Sequence, residues 1–345
     1  MSSTVSSAGE IRNSIFAYAL SDYEDASRTY SDATCYKRPS YLAPRRSDTA
    51  LLRTCRQIYQ EAWFIPWASA EHAFYLAWNT RSPPRVTSVE SMQETLDLLH
   101  ARGVDIEVKH VLLFAQLCRL EDGSHLSEIL EMHHFRPKKL TVTIRHTDWW
   151  SWENDAPLQI GADWVNECRF PDSVGEVSVA FESLERKRHQ VDYIAAQASE
   201  TWTFRRNDGT VMRARKDGAA EVTRWTGMST WEEQRWIRDE SRPNQLDYYV
   251  LTVTWRPQHT ARCQEITNTD CEDCLARHLT VPCPENESNM PEESPELDAS
   301  DIPSGLSEDV YPAYLSVSDM EAAGVPADCP GERAREIVEE WQSGA

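Results

Sequence analysis

Leu140-Thr-Val-Thr-Ile144 is the stretch on which the fold class turns. Its side chains alternate between apolar and hydroxyl-bearing, and its middle is β-branched. A strand has a side-chain period of two, so this pattern lays one apolar row on one face. The neighbouring segments have the other period. His125 to His134 carries Leu126, Ile129 and Leu130 at helical spacing, and Ala162 to Cys168 reads as a short helix. Further out, Val108 to Phe114 is a continuous apolar run, Val177-Ser-Val-Ala-Phe181 alternates, and His72 to Trp78 reads as a strand. Ser88 to Arg102 places Val89, Met92, Leu96 and Leu99 on one helical face, with Gly103 where a helix C-terminus favours it. Leu184 to Ser199 is helical again. Strands alternating with helices imply crossover units and a largely parallel sheet.

The pattern changes after Thr201. Asn207-Asp208-Gly209 lies between two alternating runs, which predicts a hairpin. Trp231 to Arg238 reads as a short helix, and Leu246 to Trp255 is the best strand in the chain. The expected architecture is α/β: a small helical N-terminal module packed on a mixed, largely parallel sheet with an antiparallel C-terminal addition.

That N-terminal module rests on Leu51-Leu-Arg-Thr-Cys-Arg-Gln-Ile-Tyr-Gln-Glu-Ala62, read as one amphipathic helix with Leu51, Leu52, Cys55, Ile58, Tyr59 and Ala62 on its apolar face. Glu10 to Leu20 reads as a second helix, with Ile11, Ile15, Phe16, Tyr18 and Ala19 as its apolar side. The two are expected to clasp each other, with a long loop over 21–46. The organisation predicted is a disordered 1–9, a helical module over 10–80, an α/β body over 81–283, and an acidic flexible tail over 284–345. That tail contains a short helix near 332–341, with Ala334, Ile337, Val338 and Trp341 on one face.

Charge is distributed unevenly. Residues 284–345 hold 16 Asp or Glu and 2 Lys or Arg, a net of −14, which leaves −7 of the total −21 for the rest of the 345-residue chain. An acidic chain repels phosphate backbones, which disfavours nucleic acid and anionic membranes as partners. No run approaches the ~20 apolar residues of a membrane span. Met-Ser-Ser-Thr-Val-Ser-Ser lacks the basic start and apolar core of a secretory signal. Nine cysteines, an odd number at scattered spacings, fit reduced thiols in the cytoplasm or nucleus.

Motifs that carry chemistry are few. Cys271-Glu-Asp-Cys274, with Cys263, Cys283, His259 and His278 nearby, has the spacing of a zinc site, but acidic residues fill its turn and a second close pair is absent. Glu131-Met-His-His134 contains a Glu-x-x-His without the second such pair that a dinuclear site needs. Trp149-Trp150-Ser-Trp152 is a candidate aromatic surface for a ligand or partner, or else a rigid loop covering the sheet edge. Arg205, Arg206, Arg213, Arg215 and Lys216 flank the hairpin and suit either phosphate binding or a solvated face. Ser307 and Ser318 precede acidic residues, as phosphorylation sites do. Fingerprints for dinucleotides, phosphate loops and nucleophile elbows are absent, so no cofactor, no metal and no catalytic residue is assigned.

Two motifs together resemble a known family. Glu10-Ile-Arg-Asn-Ser-Ile-Phe-Ala-Tyr-Ala-Leu20 and the Leu51–Ala62 segment are similar to the paired signature of a large group of F-box-like proteins of filamentous fungi. There the first motif opens with Leu-Pro, where this chain has Ser7-Ala8-Gly9, and the second reads Leu-Leu-x-x-Cys-Arg-Gln-Ile-Tyr-x-Glu-Ala. The resemblance implies an F-box-like helical entrance that holds a ubiquitin-ligase adaptor and a variable α/β region that holds a client. It makes a protein-interaction scaffold the expected function, with Ile11, Ile15, Tyr18 and Trp341 as partner-binding residues. The alternative is an enzyme or small-molecule binder using the aromatic surface near Trp149–Trp152.

Overall fold

The structure, a computed structural model, describes residues 3–214, 220–258, 294–300 and 313–344. Its centre is one nine-stranded sheet. In chain order the strands are β1 (Glu71–Leu76), β2 (Val108–Ala115), β3 (Pro137–Ile144), β4 (Arg169–Phe170), β5 (Glu176–Leu184), β6 (Phe204–Arg206), β7 (Val211–Ala214), β8 (Glu221–Met228) and β9 (Gln245–Pro257). Their order in space is β1-β2-β3-β5-β9-β7-β6-β4, with β8 also paired to β9. β1, β2, β3 and β5 run parallel to one another. β9 is antiparallel to β5 on one side and to β7 and β8 on the other. The fold is therefore α/β, a largely parallel run of strands extended by an antiparallel addition.

The parallel half follows from the alternation of periods. Helices α3 (Val89–Ala101), α4 (Ser124–Leu130) and α5 (Arg188–Thr201) all bring apolar rows to one face of the sheet. Met92, Leu96, Leu99, Leu126, Ile129, Val191 and Ile194 join Val111, Leu113, Leu140, Val142, Val177, Val179 and Phe181 in one buried cluster. Each of these strand positions is separated from the next by one residue, as the period of two requires. The other face belongs to a second, smaller cluster, where Leu112 and Phe114 of β2 meet Tyr41 from the N-terminal loop. The predicted hairpin joins β6 to β7. Gly209 takes the positive φ of +81° that its turn requires.

The N-terminal segments do meet, in a way the periodicity misses. Leu51–Ala62 is two pieces: a 3₁₀ turn over Ala50–Arg53, then helix α2 over Arg56–Ala62. The Thr54 hydroxyl and amide both close onto the Leu51 carbonyl, and Cys55 is extended, capping α2 by accepting from the Ile58 amide. The two pieces bring Leu51, Leu52, Ile58 and Ala62 together with Phe16 and Leu20 of helix α1 (Ser3–Ala19) in one apolar cluster. The helix begins at Ser3, inside the stretch expected to be disordered.

Two other expectations are corrected. Helix α4 stops at Leu130, so Glu131 and His134 do not share a helical face; His134 has φ +60°. Trp231 to Arg238 is not one helix: Thr230–Trp231 pairs with Gln234–Arg235, Glu232 and Glu233 both take positive φ in the tight turn between them, and only a 3₁₀ turn over Ile237–Asp239 follows. Trp231 and Arg235 are both buried, four residues apart as in a helix, so the burial spacing alone does not reveal the hairpin.

The acidic tail is not loose where it is described. Leu297–Asp298 pairs with Gln159–Ile160, and Leu315–Ser316 pairs with Gln234–Arg235. Helices α6 (Val317–Ala322) and α7 (Gly331–Gln342) then pack Met320, Ala334 and Val338 around Ile237. The buried Arg235 guanidinium donates to both Glu240 oxygens and to the Cys329 carbonyl at 2.6 Å. A composition biased toward acid is compatible with docking because the acids sit outside and a few small apolar residues face in. Among the described residues, no helix is long and apolar enough to cross a membrane.

Candidate functional site

Two places stand out, a helix face and a cleft beside the sheet. The first is α1. Phe16 and Leu20 anchor it to α2, and Arg12 forms an ion pair with Glu61 at 3.1 Å. The opposite side is bare: Ile11, Ile15 and Tyr18 are 60%, 57% and 86% exposed. Their i, i+4, i+7 spacing makes a stripe that lines a shallow apolar groove with Ser14 and Ala19. Phe16 and Leu20, rather than Ile15, make the contact with α2. Trp341 is 46% exposed near the end of α7, which is held by a different apolar cluster from the one that holds α1.

The second feature is a cleft of about 180 Å³ on the second face of the sheet, open to solvent past Asp32, Leu42 and Met228. It lies where β3 and β5 end, under the loop of residues 32–42 and against β8. Carboxyl ends of parallel strands are where open α/β sheets bind ligands, because chain leaves the sheet there and side chains converge. Glu182, buried near the end of β5, accepts from Arg38 Nη2 at 2.8 Å and from Trp225 Nε1 at 3.2 Å. Trp225 stacks on Tyr248 at 4.0 Å, the two being direct partners across β8 and β9. Gly227 leaves room for that stack: a Cβ there would meet the Trp225 ring at 2.7 Å and the Tyr248 ring at 3.0 Å.

Arg145 and His146 follow β3 directly. The Arg145 guanidinium donates to both Asp148 oxygens, at 2.7 and 3.0 Å, and to the Arg81 carbonyl at 3.0 Å. His146 is 3% exposed and lies edge-on to Trp152 and Tyr248. Burial pushes its pKa down to about 3, with the cations Arg186, Lys187 and Arg238 acting in the same direction and Asp239 opposing them. The imidazole is therefore neutral at pH 7. Among the described residues, neither of its ring nitrogens has a hydrogen-bond partner, nor does Thr147 Oγ1 or Arg38 Nη1. Burial also raises the Cys35 pKa, against the pull of Arg145 and Arg81, so the thiol stays protonated and is a weak nucleophile.

Two other constellations look chemical. Glu71, His110 and Thr141 form a relay, with His110 Nδ1 3.1 Å from Glu71 and Nε2 2.9 Å from the Thr141 hydroxyl. The three lie on adjacent parallel strands, whose backbone N–H groups are committed to the sheet rather than to an oxyanion, and none of them lines the cleft. His100, Asp105 and His134 bring ligand atoms within 4.8 Å of one another at the surface. The two imidazoles are stacked at 3.7 Å and 13°, however, and parallel rings do not aim their lone pairs at one ion.

Most of the tryptophan cluster is inside. Trp149 and Trp152 are buried, Trp149 donating to the Glu182 carbonyl at 2.7 Å, and Trp150 donates to Glu121 at 2.8 Å. Trp149 and Trp152 are used in packing, as the rigid-loop reading has it, while Trp150 stays 40% exposed. Arg205, Arg206 and Arg213 lie on the hairpin, where Arg206 forms an ion pair with Asp208. Cys263, Cys271, Cys274, Cys283, His259, His278, Arg215, Lys216 and Ser307 lie outside the described residues. Sequence reasoning passed over Arg38, Arg145, His146 and Glu182. The available signal was Arg145-His146 directly after the alternating Leu140–Ile144 strand.

Comparison with protein-family models, with curated proteins and with solved structures finds no match. The likeness to F-box-like proteins therefore stands on the residues of the two motifs.

Proposed function

We propose that this chain is a protein-interaction scaffold that offers α1 to a protein partner and uses the α/β body to hold a second protein. The observation that carries this reading is the stripe of Ile11, Ile15 and Tyr18, more than half exposed on a helix already anchored from its other side. Three large apolar side chains on one free helical face suit helix-in-groove recognition, with i, i+4, i+7 anchors. The paired motifs make a ubiquitin-ligase adaptor the first partner to test.

The test is affinity capture of the tagged full chain from fungal lysate, compared with an Ile15→Asp/Tyr18→Asp variant. The expected result is an adaptor that co-purifies with the wild type and falls at least tenfold with the variant, while the melting temperature stays unchanged. Capture of no adaptor by the wild type would remove the ligase reading. Equal capture by both would remove α1 as the docking face.

A further inference from the structure

We propose that β8 is the contact through which two copies of this chain join edge to edge, a role separate from docking through α1. Among the described residues, β8 pairs with β9 alone, so its outer edge carries backbone N–H and C=O groups with no strand to meet them. None of its eight residues is buried. Natural sheets guard such an edge with Lys, Pro, a bulge or a covering element. β8 contains neither Lys nor Pro, and its pairing with β9 runs unbroken from Glu221–Thr252 to Met228–Gln245. Its single cation is drawn away: Arg224 donates to Glu185 at 2.9 Å and lies over the Tyr249 ring at 4.9 Å.

The strand also fits itself when reversed. Side chains alternate, so Val222, Arg224, Thr226 and Met228 share the face where Tyr249 bonds Asp192 of α5, and Trp225 shares the other face with Tyr248. A two-fold axis perpendicular to the sheet makes two such strands antiparallel and keeps each face on its own side. With that axis at Trp225, Val222 of each copy lies opposite Met228 of the other, and Arg224 lies opposite Thr226. Val222 and Met228 are 41% and 39% exposed in the single chain, and this register covers each with the other, once on either side of the axis.

Only even shifts keep the faces matched, and the nearest even shifts are worse. One sets Arg224 directly against Arg224 of the other copy, a like-charge pair. The other carries Val222 past the end of the strand, opposite Thr230, which is already paired in the next hairpin.

A strand of this length spans roughly 26 Å, so the contact is small and the dimer reversible, with a dissociation constant in the micromolar range. Each copy has a net charge of −21, which opposes association at long range. Salt screens that repulsion and leaves main-chain bonds and apolar pairs in place, so the dimer tightens as salt is added.

Sedimentation velocity of the full chain over a concentration series tests this. The wild type is expected to show a monomer–dimer equilibrium that moves toward dimer with salt. Val222→Lys/Met228→Lys sets ammonium against ammonium on both sides of the axis and is expected to weaken the dimer at least tenfold. Both positions are exposed, so the melting temperature should not change. Ile15→Asp/Tyr18→Asp is expected to leave the dimer intact. Chains carrying Val222→Cys, mixed with chains carrying Met228→Cys, are expected to form a disulfide between the two positions, found by peptide mapping, whereas neither variant alone links 222 to 222 or 228 to 228.

A wild type that stays monomeric would overturn the proposal and leave the edge to an extended segment of a different protein. A dimer lost with the α1 variant but kept with the β8 variant would overturn it by moving the contact to α1. Disulfides joining 222 to 222 as readily as 222 to 228 would overturn the register.

Discussion

Val142 and Thr143 are neighbours in β3, and both are buried, yet they face different chemistry. Val142 joins a continuous hydrocarbon layer with α3, α4 and α5. Thr143 faces the side that the N-terminal loop closes, where Arg38 reaches Glu182, Tyr41 donates to Glu71 at 2.5 Å, and Arg145 holds Asp148. Hydrocarbon packing has no direction, so the helical face closes mostly on apolar contact, with Trp164 Nε1 and Ser183 Oγ left without a partner among the described residues. Ion pairs and hydrogen bonds are directional, and where their geometries do not all match, atoms such as those of His146 are left over. The second face is the one with room for recognition.

Breaking the first face is expected to have the largest effect. Val142→Asp buries a carboxylate among aliphatic side chains with no cation near, and is expected to prevent folding, read as loss of the cooperative thermal transition. On the second face, Arg145→Met leaves Asp148 buried and unpaired, at a cost of about 3–5 kcal/mol in urea denaturation. The double variant Arg145→Met/Asp148→Leu is expected to recover most of that loss. If it does, ions on this face give specificity more than stability.

Acid separates the faces more gently. His146 and His72 both have pKa values lowered by burial. Between pH 6.5 and the folded value, the unfolded chain binds a proton that the folded chain refuses, so stability is full above pH 6.5 and falls as pH drops. The slope is about 1.4 kcal/mol per pH unit for each such group. Urea midpoints are expected to be lower at pH 5.5 than at pH 7.5, and His146→Phe should flatten part of that difference. The smallest effect belongs to Tyr41→Phe. It removes one partly buried hydrogen bond to Glu71 and is expected to cost about 1 kcal/mol.

The sequence revealed the first face better than the second, for a physical reason. β2, β3, β5 and β9 are legible because burial on a strand writes a local pattern, and α3 because its apolar positions recur every three or four residues. Arg38 and Glu182 are far apart along the chain, and nothing local marks either as the other's partner. The break at Cys55 was hidden because cysteine is not a helix breaker, and the turn at Glu232-Glu233 because glutamate seldom takes positive φ. In the tail, composition pointed to disorder while Ala334 and Val338 carried the docking signal. That signal needed Ile237 and Arg235 opposite before it could be read.

The place of β9 has a consequence for synthesis on the ribosome. β1, β2, β3 and β5 emerge in order and can pair as they appear, but the far edge of β5 has no neighbour until residue 257 has been translated. The hairpin that buries Trp231 lacks its third strand until Leu315 follows. For that interval the nascent chain carries an open, apolar strand edge, the kind of surface that chaperones hold and that crowded polysomes join wrongly.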